Sequence, residues 1–303
     1  MPEGNEIHRW AARHEAAFGG KTVRVDGPQG RFTDSAVIDG RKLERVMAVG
    51  KHLGYDFGKD RILHVHLGLQ EGDFTEGSGP LPEVRGALRL RMWNAAAVKL
   101  PAGPDASKPH RWYSEDDGTD NLAPEKIAWV ELRGPMDCSI YSQEMWEKLL
   151  ERLGPDPLNG DGAEKFVERV AKSRKTIGEL LMDQSVAAGV GNVFRAELLY
   201  RARQSPFTPG REVEEKTLRS IWKDAGVLMK AAMVDRRIVT TRPKDRPHKT
   251  GQALKEEAHY VYRRQGRPCF VCGTKILTKE MAGRNLFWCP VCQADKSGIT
   301  RGV

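Results

Sequence analysis

Apolar and aromatic side chains near the start of the chain recur at spacings of three and four residues. They are Ile7, Trp10, Ala11, His14 and Phe18. At 3.6 residues per turn, this spacing places all of them on one face of a helix. The pattern therefore predicts a single amphipathic helix over residues 3–18.

From residue 21 onward the pattern changes to short runs that alternate every two residues. In the run 84–93, Leu88, Leu90 and Met92 alternate with Arg89 and Arg91, which predicts a strand with one solvated face. Closely spaced strands of this kind favour a β-sandwich or barrel. The other predicted strands are 21–26, 43–49, 52–57 and 61–67, with a strand pair across 127–141 and loops at 77–82 and 101–109.

A cluster of helix- and strand-breaking residues divides the chain. Residues 154–162 read Gly-Pro-Asp-Pro-Leu-Asn-Gly-Asp-Gly, which predicts a linker. The pattern after it is helical over 163–172, 175–186, 191–202 and 214–234, and the polar, basic segment 240–252 is predicted to be a mobile loop. We therefore expect an α+β protein with domains at 1–153, 163–262 and 263–303, joined by the linker 154–162.

The charge balance favours a polyanionic partner. Lys and Arg number 49 and Asp and Glu number 41, which gives a net charge of +8 and a pI near 9.2. A basic protein of this kind binds nucleic acid or is simply a basic cytosolic protein, and charge alone does not separate the two. We find no apolar run of about 18 residues for a membrane span and no signal peptide in the charged first twenty residues. We therefore expect a cytoplasmic protein with reduced thiols.

Four of the five cysteines lie near the C-terminus in the pattern Cys269-x2-Cys272-x16-Cys289-x2-Cys292. Two such pairs suit four thiolates around one tetrahedral zinc ion, and four protein ligands leave no position open for catalysis. The alternative is a pair of disulfides or unliganded thiols, which a reducing compartment disfavours. The pattern predicts one structural zinc in a β-hairpin finger, and Cys138 is expected to be a buried, inert thiol.

Two further features suggest chemistry. Residues 189–197 read Gly-Val-Gly-Asn-Val-Phe-Arg-Ala-Glu, a glycine-rich helix start whose free N–H groups bind phosphate well, with Asn192 capping the helix or donating to that phosphate. An ordinary helix–helix turn is the alternative. After removal of Met1, Pro2 offers a secondary α-amine, which titrates near about 8 and is thus more nucleophilic at neutral pH than a lysine at about 10.

Taken together, these features resemble the formamidopyrimidine-DNA glycosylase and endonuclease VIII family of bifunctional DNA glycosylase/AP lyases, over essentially the full length. The family has an N-terminal β-sandwich with a flanking helix, and a helical domain with a helix–two-turns–helix motif and a β-hairpin zinc finger. The matching pieces are Pro2-Glu3, Gly50-Lys51-His52, His66-Leu67-Gly68-Leu69, Met182-Asp183-Gln184, Gly189-Val190-Gly191-Asn192 and the finger residues 283–293.

The resemblance implies a role for each matching residue. Pro2 would attack the sugar C1′ and form a Schiff base, Glu3 would be the acid/base at the ring oxygen, and Lys51 would contact phosphate and aid base loss. Asn192 and Arg284 would hold phosphates beside the flipped nucleotide, and Leu69 would fill the vacated stack. Arg174 and Lys175 are further candidates for phosphate contact. The structural alternatives are a helix-terminal charge for Glu3, solvated surface positions for the basic residues, and a core position for Leu69.

The start Met1-Pro2-Glu3-Gly4 is similar to the endonuclease VIII branch, which implies excision of oxidised pyrimidines and strand nicking by β,δ-elimination. The alternatives are a formamidopyrimidine-type enzyme acting on 8-oxoguanine, and a non-catalytic zinc-finger DNA-binding protein. The acidic residues Glu71 and Asp73 after Leu69 depart from a phosphate-contacting pattern. We expect a monomer that binds damaged double-stranded DNA in a basic cleft between its domains, in the cytoplasm or at a bacterial nucleoid.

Overall fold

The computed structural model describes residues 2–68, 72–96, 122–160 and 162–294. It separates into two compact units. The first contains Pro2 and Ile7–Leu150, and the second contains Glu3–Glu6 and the described residues from Glu151 onward. Leu69 and the loop predicted at 101–109 lie outside the described residues.

The first unit is a sandwich of two antiparallel sheets together with most of helix α1 (Gly4–Phe18). One sheet has the order β2-β1-β7-β8-β6 and the other the order β3-β4-β5-β9. The strands are β1 (Thr22–Asp26), β2 (Arg41–Lys42), β3 (Arg45–Val49), β4 (His52–Asp56), β5 (Ile62–His66), β6 (Asp73–Gly77), β7 (Leu88–Asn94), β8 (Trp129–Arg133) and β9 (Asp137–Tyr141). The short helix α2 (Ser35–Ile38) follows β1, and α3 (Gln143–Arg152) lies at the boundary between the two units.

The core of the first unit lies between the two sheets, where alternate residues of each strand point inward. Leu90 and Met92 of one sheet and Leu53 and Val65 of the other belong to the same buried cluster. The helix face predicted from the spacing at the N-terminus is part of this cluster through Ile7, Trp10, Ala11 and Phe18. The predicted β-sandwich with a flanking helix is therefore confirmed.

The structure corrects two details of the strand predictions. The two strands across 127–141 exist but do not pair, because β8 joins one sheet beside β7 and β6 while β9 joins the other beside β5. The face of β7 predicted to be solvated is partly covered, because Arg91 is buried and its guanidinium binds Glu131 and the carbonyl oxygen of Pro82. Alternation reports which residues share a face, whereas tertiary packing decides whether that face meets water.

The second unit is helical, with α4 (Ala163–Ala171), α5 (Ile177–Leu180), α6 (Asn192–Arg201) and α7 (Glu215–Asp235) around a buried apolar cluster. The helix predicted over 175–186 is wrong in length. It starts at a capping box formed by Thr176 and Glu179 but ends after one turn, and turns fill the chain as far as α6. This arrangement is a helix–two-turns–helix.

The C-terminal part of the second unit is a β-hairpin made of β10 (Leu277–Met281) and β11 (Arg284–Trp288). The preceding segment 240–252 contains neither an α-helix nor a strand. Its first half is nevertheless anchored, because the buried Arg246 binds Thr241 and the Tyr260 hydroxyl donates to Asp245 at 2.6 Å. The prediction missed α2, α3, β2 and β6, which are short or carry weak periodicity.

Candidate active site and zinc centre

The carboxylate of Glu3 lies at the N-terminus of α6. It accepts hydrogen bonds from the backbone N–H groups of Val193 at 2.7 Å, Gly191 at 3.2 Å and Phe194 at 3.3 Å, and the residue is 2% exposed. Unpaired N–H groups and the positive end of the helix dipole stabilise a negative charge at this position. The expectation that these N–H groups are free for a DNA phosphate is therefore wrong, because the anion they bind is Glu3.

Two glycines allow the N-terminal segment to approach α6 this closely. The N–H of Gly4 donates to the carbonyl oxygen of Gly189 at 2.9 Å. A Cβ at position 4 would lie 2.8 Å from the Gly189 Cα, and a Cβ at position 191 would lie 2.6 Å from the Glu3 Cδ. Real Cβ atoms essentially never approach so closely. Glycine at both positions thus serves to place the Glu3 carboxylate.

The side chain of Asn192 is buried and does not cap α6. Its Nδ2 donates to the carbonyl oxygen of Asn285 at 3.0 Å, and its Oδ1 accepts from Arg195 Nη2 at 2.5 Å. The helix-capping alternative for Asn192 is therefore wrong. The amide instead joins the start of α6 to the zinc-finger hairpin.

Arg195 holds this junction together. It is fully buried, and its Nη1 donates to the carbonyl oxygen of Met281 at 2.9 Å while its Nη2 lies 3.5 Å from that of Arg284. Burial lowers the pKa of Arg195 to about 10, although the charge of Glu3 acts in the opposite direction. Arg195 therefore positions both Asn192 and the hairpin turn that carries Arg284. Arg195 and Glu197 are the two charged residues in the otherwise apolar run 193–200, and this was the sequence signal that could have found Arg195.

The four cysteines of the paired motif come together as the spacing predicted. Their sulfur atoms all lie within 4.8 Å of one another, and the Sγ–Sγ distances are 3.8 Å for Cys269–Cys292 and 3.4 Å for Cys272–Cys289. These distances are too long for a disulfide, in which sulfur atoms are about 2.05 Å apart. They fit a tetrahedron with zinc–sulfur bonds of about 2.3 Å, whose edges are about 3.8 Å. The four thiols thus form a structural zinc site.

A second buried carboxylate joins the zinc finger to α6. Glu197 is fully buried and accepts the backbone N–H groups of Tyr260 at 2.7 Å and of Val261 and Tyr262 at 2.8 Å, together with the hydroxyl of Thr240. These bonds hold the segment that leads into Cys269. The sequence analysis assigned no role to Glu197, because its partners are more than 40 residues away.

Lys51 lies in the first unit, in the two-residue turn between β3 and β4, as predicted. Its charge acts on the imidazole of His66, the residue opposite His52 on β5. Burial, with further contributions from His64 and Lys51, lowers the pKa of His66 to about 4. His66 is therefore neutral at physiological pH, and Lys51 supplies a positive charge at this turn.

The remaining predicted residues are placed as follows. Pro2 is half-buried and directly precedes Glu3. Arg174 and Lys175 are exposed just before α5, and Lys175 Nζ lies 3.6 Å from Asp183 Oδ2. Cys138 is packed against the core of the sandwich, and burial raises the pKa of its thiol to about 12, as expected for an inert cysteine.

Comparison with known proteins bears directly on this arrangement. The model for the formamidopyrimidine-DNA glycosylase H2TH domain matches residues 153–243, and the model for the zinc finger found in FPG and IleRS matches residues 266–294. Endonuclease 8 1 of Mycobacterium tuberculosis (strain ATCC 25618 / H37Rv) is 42% identical over 300 residues, which are 97% of this chain and 100% of the relative. The chain belongs to the formamidopyrimidine-DNA glycosylase and endonuclease VIII family.

A more distant relative and a solved structure also match. Formamidopyrimidine-DNA glycosylase of Thermus thermophilus is 28% identical over 301 residues, covering 97% of this chain and 99% of the relative. A complex between the Lactococcus lactis Fpg and an abasic-site-containing DNA superposes with a TM-score of 0.69 at 21% identity, covering 97% of this chain and all of that one. The latter likeness concerns the fold.

Membership establishes the general activity. The protein is a DNA-binding base-excision-repair enzyme of the DNA glycosylase/AP lyase class, with one structural zinc in its C-terminal finger. This excludes a non-catalytic zinc-finger protein. Across the described ranges, no helix has the length and apolarity to cross a bilayer.

Proposed function

We propose that this enzyme removes oxidised pyrimidines from duplex DNA through a Schiff base at Pro2 and nicks the strand by β,δ-elimination. The observation that carries the proposal is the Glu3 carboxylate, which three backbone N–H groups hold at the N-terminus of α6 directly after Pro2. A carboxylate held by this many donors cannot rotate freely, so it is pre-organised to exchange a proton with a bound sugar.

The chemistry follows from a secondary amine. The lone pair of the Pro2 nitrogen attacks C1′, the bond from C1′ to the base breaks, and the base leaves with the bonding electrons. The attack leaves the Pro2 nitrogen with a positive charge, and it gives its proton to the Glu3 carboxylate. Glu3 then passes this proton to the ring oxygen as the sugar opens and the C1′ iminium forms, while the departed base takes a proton from solvent. The iminium then accepts the electrons from the C2′–H bond, which expels the 3′ phosphate, and a second elimination expels the 5′ phosphate.

The basic residues serve the DNA backbone in this proposal. Lys51, Asn192 and Arg284 bind the phosphates that flank the flipped nucleotide, with Arg174 and Lys175 contributing further along the strand. Leu69 fills the vacated stack. The proposed enzyme acts as a monomer in the cytoplasm, and at the nucleoid in a bacterium. The net charge of +8 is consistent with association with DNA.

Borohydride trapping on an abasic duplex tests the Schiff base. Wild-type protein should give a stable protein–DNA adduct, Pro2→Gly should lose most of it, and an N-terminal extension that converts the Pro2 amine into an amide should abolish it. Pro28→Gly, which changes a half-buried proline outside the site, should trap normally. Undiminished trapping in the extended protein would identify a lysine as the nucleophile.

The preference for oxidised pyrimidines is supported by the 42% identity to Endonuclease 8 1 and by a physical argument. Bases with a saturated ring, such as thymine glycol and dihydrouracil, are not planar and stack poorly, so their extrusion costs less of the few kcal/mol that flipping requires. Single-turnover excision from matched duplexes is the test. Faster release of 8-oxoguanine opposite cytosine would assign the formamidopyrimidine-type specificity instead.

A further inference from the structure

The hydroxyl of Tyr200, on α6, lies against the cysteines of the zinc site. Tyr200 is buried, and its Oη lies 3.1 Å from Cys269 Sγ and 3.9 Å from Cys292 Sγ. Tyr200 precedes Cys269 by 69 residues and belongs to the helix, not to the hairpin of the finger. The paired Cys-x-x-Cys motif therefore does not by itself account for this contact.

The direction of this hydrogen bond follows from the zinc site. The ligand of zinc is the thiolate, which carries no proton, so the Tyr200 hydroxyl donates and the sulfur accepts. A hydroxyl has one proton, and the shorter distance directs it to Cys269. Cys269 Sγ also accepts the N–H of Val271 at 3.5 Å, and Cys289 Sγ accepts that of Cys292 at 3.4 Å. Tyr200 thus adds a side-chain donor to those that each Cys-x-x-Cys pair supplies from its own backbone.

Packing fixes the ring of Tyr200. It stacks on the ring of Tyr260, with centroids 4.5 Å apart and an interplanar angle of 25°, and the Tyr260 hydroxyl is itself bonded to Asp245. Both rings belong to the buried cluster that contains Cys269 and Cys289. Since the ring is already held, the hydrogen bond to Cys269 forms with little further loss of side-chain entropy.

A second side chain from the end of α6 lies beside Tyr200. The guanidinium carbon of Arg203 lies over the Tyr200 ring, 5.1 Å from its centroid. Burial acts to lower the pKa of this guanidinium, but the nearby Tyr200, Cys292 and Cys269 outweigh it and raise that pKa. Arg203 therefore supplies a positive charge that acts on two of the zinc ligands.

The backbone of Arg203 has a conformation that favours glycine. Its φ is +54°, its N–H donates to the carbonyl oxygen of Tyr200 at 3.0 Å, and the N–H of Gln204 donates to that of Leu199 at 2.9 Å. These two bonds form a Schellman motif, in which the left-handed residue after the helix is usually glycine. An arginine at this φ is less stable than a glycine, which indicates a role for its side chain.

The zinc site has a use for both groups. Four thiolates around one Zn²⁺ leave two negative charges in excess, and two of the sulfur atoms belong to the buried residues Cys269 and Cys289. A buried anion is stable only where donors or cations replace the lost water. Groups that bind the ligands of a metal also orient them, and their loss typically weakens metal binding by about 10-fold to 100-fold.

We propose that Tyr200 and Arg203 are positioning residues of the zinc centre. The Tyr200 hydroxyl donates to the Cys269 thiolate and holds it in the ligating geometry, and the Arg203 guanidinium offsets the negative charge at Cys292 and Cys269. Through these two side chains, α6 sets how tightly the finger retains its metal. The inference rests on the zinc site and not on the lesion preference or the Pro2 chemistry.

The dissociation constant for zinc tests the role of the hydroxyl. It is measured on the full-length protein by competition with a chelator of known affinity. Tyr200→Phe keeps the ring and removes only the hydrogen bond, and we expect its dissociation constant to rise by about 10-fold to 100-fold. Tyr262→Phe is the matched control, because it removes the hydroxyl of a tyrosine packed against the same cluster, and it should bind zinc as wild type does. Equal dissociation constants for Tyr200→Phe and wild type would overturn the proposal.

Arg203→Gly separates the charge from the backbone. Because glycine relieves the left-handed conformation, a purely structural role at the helix end predicts zinc binding at least as tight as in wild type. Loss of the charge predicts the opposite, and we expect binding about threefold to fivefold weaker, with most of the loss restored in Arg203→Lys. Arg236→Gly is the matched control, since Arg236 also has φ +54° at the end of α7, and it should bind zinc as wild type does. Tight binding in Arg203→Gly would remove the guanidinium from the zinc centre.

A measurement on the unmodified protein makes the proposal independent of how the variants fold. In protein loaded with ¹¹³Cd in place of zinc, a hydroxyl proton that bonds a metal-bound sulfur is scalar-coupled to the metal across the hydrogen bond. We expect a ¹¹³Cd–¹H correlation to the hydroxyl proton of Tyr200, which is 2% exposed. Its absence would contradict the bond to Cys269. Borohydride trapping tests Pro2 without reference to the metal, so the two proposals fail separately.

Discussion

Replacing Gly191 with alanine is expected to displace the Glu3 carboxylate with little change to the backbone. Gly191 has φ −124° and ψ −160°, which alanine adopts without strain. The new Cβ, however, would lie 2.6 Å from the Glu3 Cδ and 2.7 Å from its Oε1. Since ordinary van der Waals contact begins at 3.4 Å, the carboxylate must move by roughly 1 Å.

That movement has a cost in stability and a cost in activity. Overpacking of a buried site costs about 1–3 kcal/mol, and lengthening the N–H bonds to a buried charge adds to it. We expect the free energy of unfolding to fall by about 2–3 kcal/mol and Tm by about 4–10 °C. A catalytic group misplaced by 1 Å lowers the rate by about 100-fold, so kcat/KM for base release should fall by that factor.

The assays are thermal unfolding, zinc content by native mass spectrometry, and nicking of a lesion-containing duplex. Gly226→Ala in α7 is the control, since its Cβ would meet a single neighbouring atom, at 3.2 Å, and it should be as active as wild type. Glu3→Asp in the Gly191→Ala background withdraws the carboxylate by one methylene and should give a non-additive double-mutant cycle. If Gly191→Ala matches wild type in both Tm and kcat/KM, the positioning role of this contact is refuted.

Three further outcomes are expected. Cys289→Ser should lose the zinc seen by native mass spectrometry and destabilise the finger, whereas Cys138→Ser should keep it; a metal-free, fully stable Cys289→Ser protein would contradict the zinc site. Log Kd for DNA should rise linearly with log salt, and Arg284→Ala should reduce the slope by about one if that residue neutralises a phosphate; an unchanged slope would remove Arg284 from the interface. Because burial lowers the pKa values of His14 and His66 in the folded state, the unfolded chain binds more protons below about pH 6.5, so the stability present above that pH is lost as the pH falls toward 4. His66→Gln should reduce this fall in the free energy of unfolding by about 1–2 kcal/mol, a figure that allows for solvent near the partly exposed ring. If Tm falls equally between pH 7.5 and pH 5 in the wild type and in His66→Gln, this role of His66 is refuted.

The local pattern of apolar and polar residues was sufficient to predict the elements whose periodicity is strong. The face of α1 and the extents of α4 and α7 follow from apolar spacing, since each of these helices buries one side. The extent of α6 was also predicted, although this helix is buried on nearly all sides. The zinc ligands were equally evident, because two Cys-x-x-Cys pairs bring four thiols together with little help from the rest of the fold. The family, and with it the reaction class, could be predicted from motifs in the right order.

Strand pairing and the length of α5 could not be predicted in this way. The strands β8 and β9 are three residues apart, yet they belong to different sheets, because hydrogen-bonding partners are chosen across the whole domain. In the same way, the apolar spacing within residues 175–186 fits either one long helix or one helical turn followed by a loop, and packing within the second unit decides between them.

By itself, the sequence determined the composition of the candidate site and the zinc finger. Only the tertiary structure decided which groups meet. Glu3 reaches the N–H groups of α6 across 188 residues or more, Arg195 joins Asn192 to a hairpin turn more than 85 residues away, and His64 meets Asp137 across 73 residues. Periodicity is a local property of the chain, whereas a buried charge is satisfied by whichever donor the completed fold brings to it.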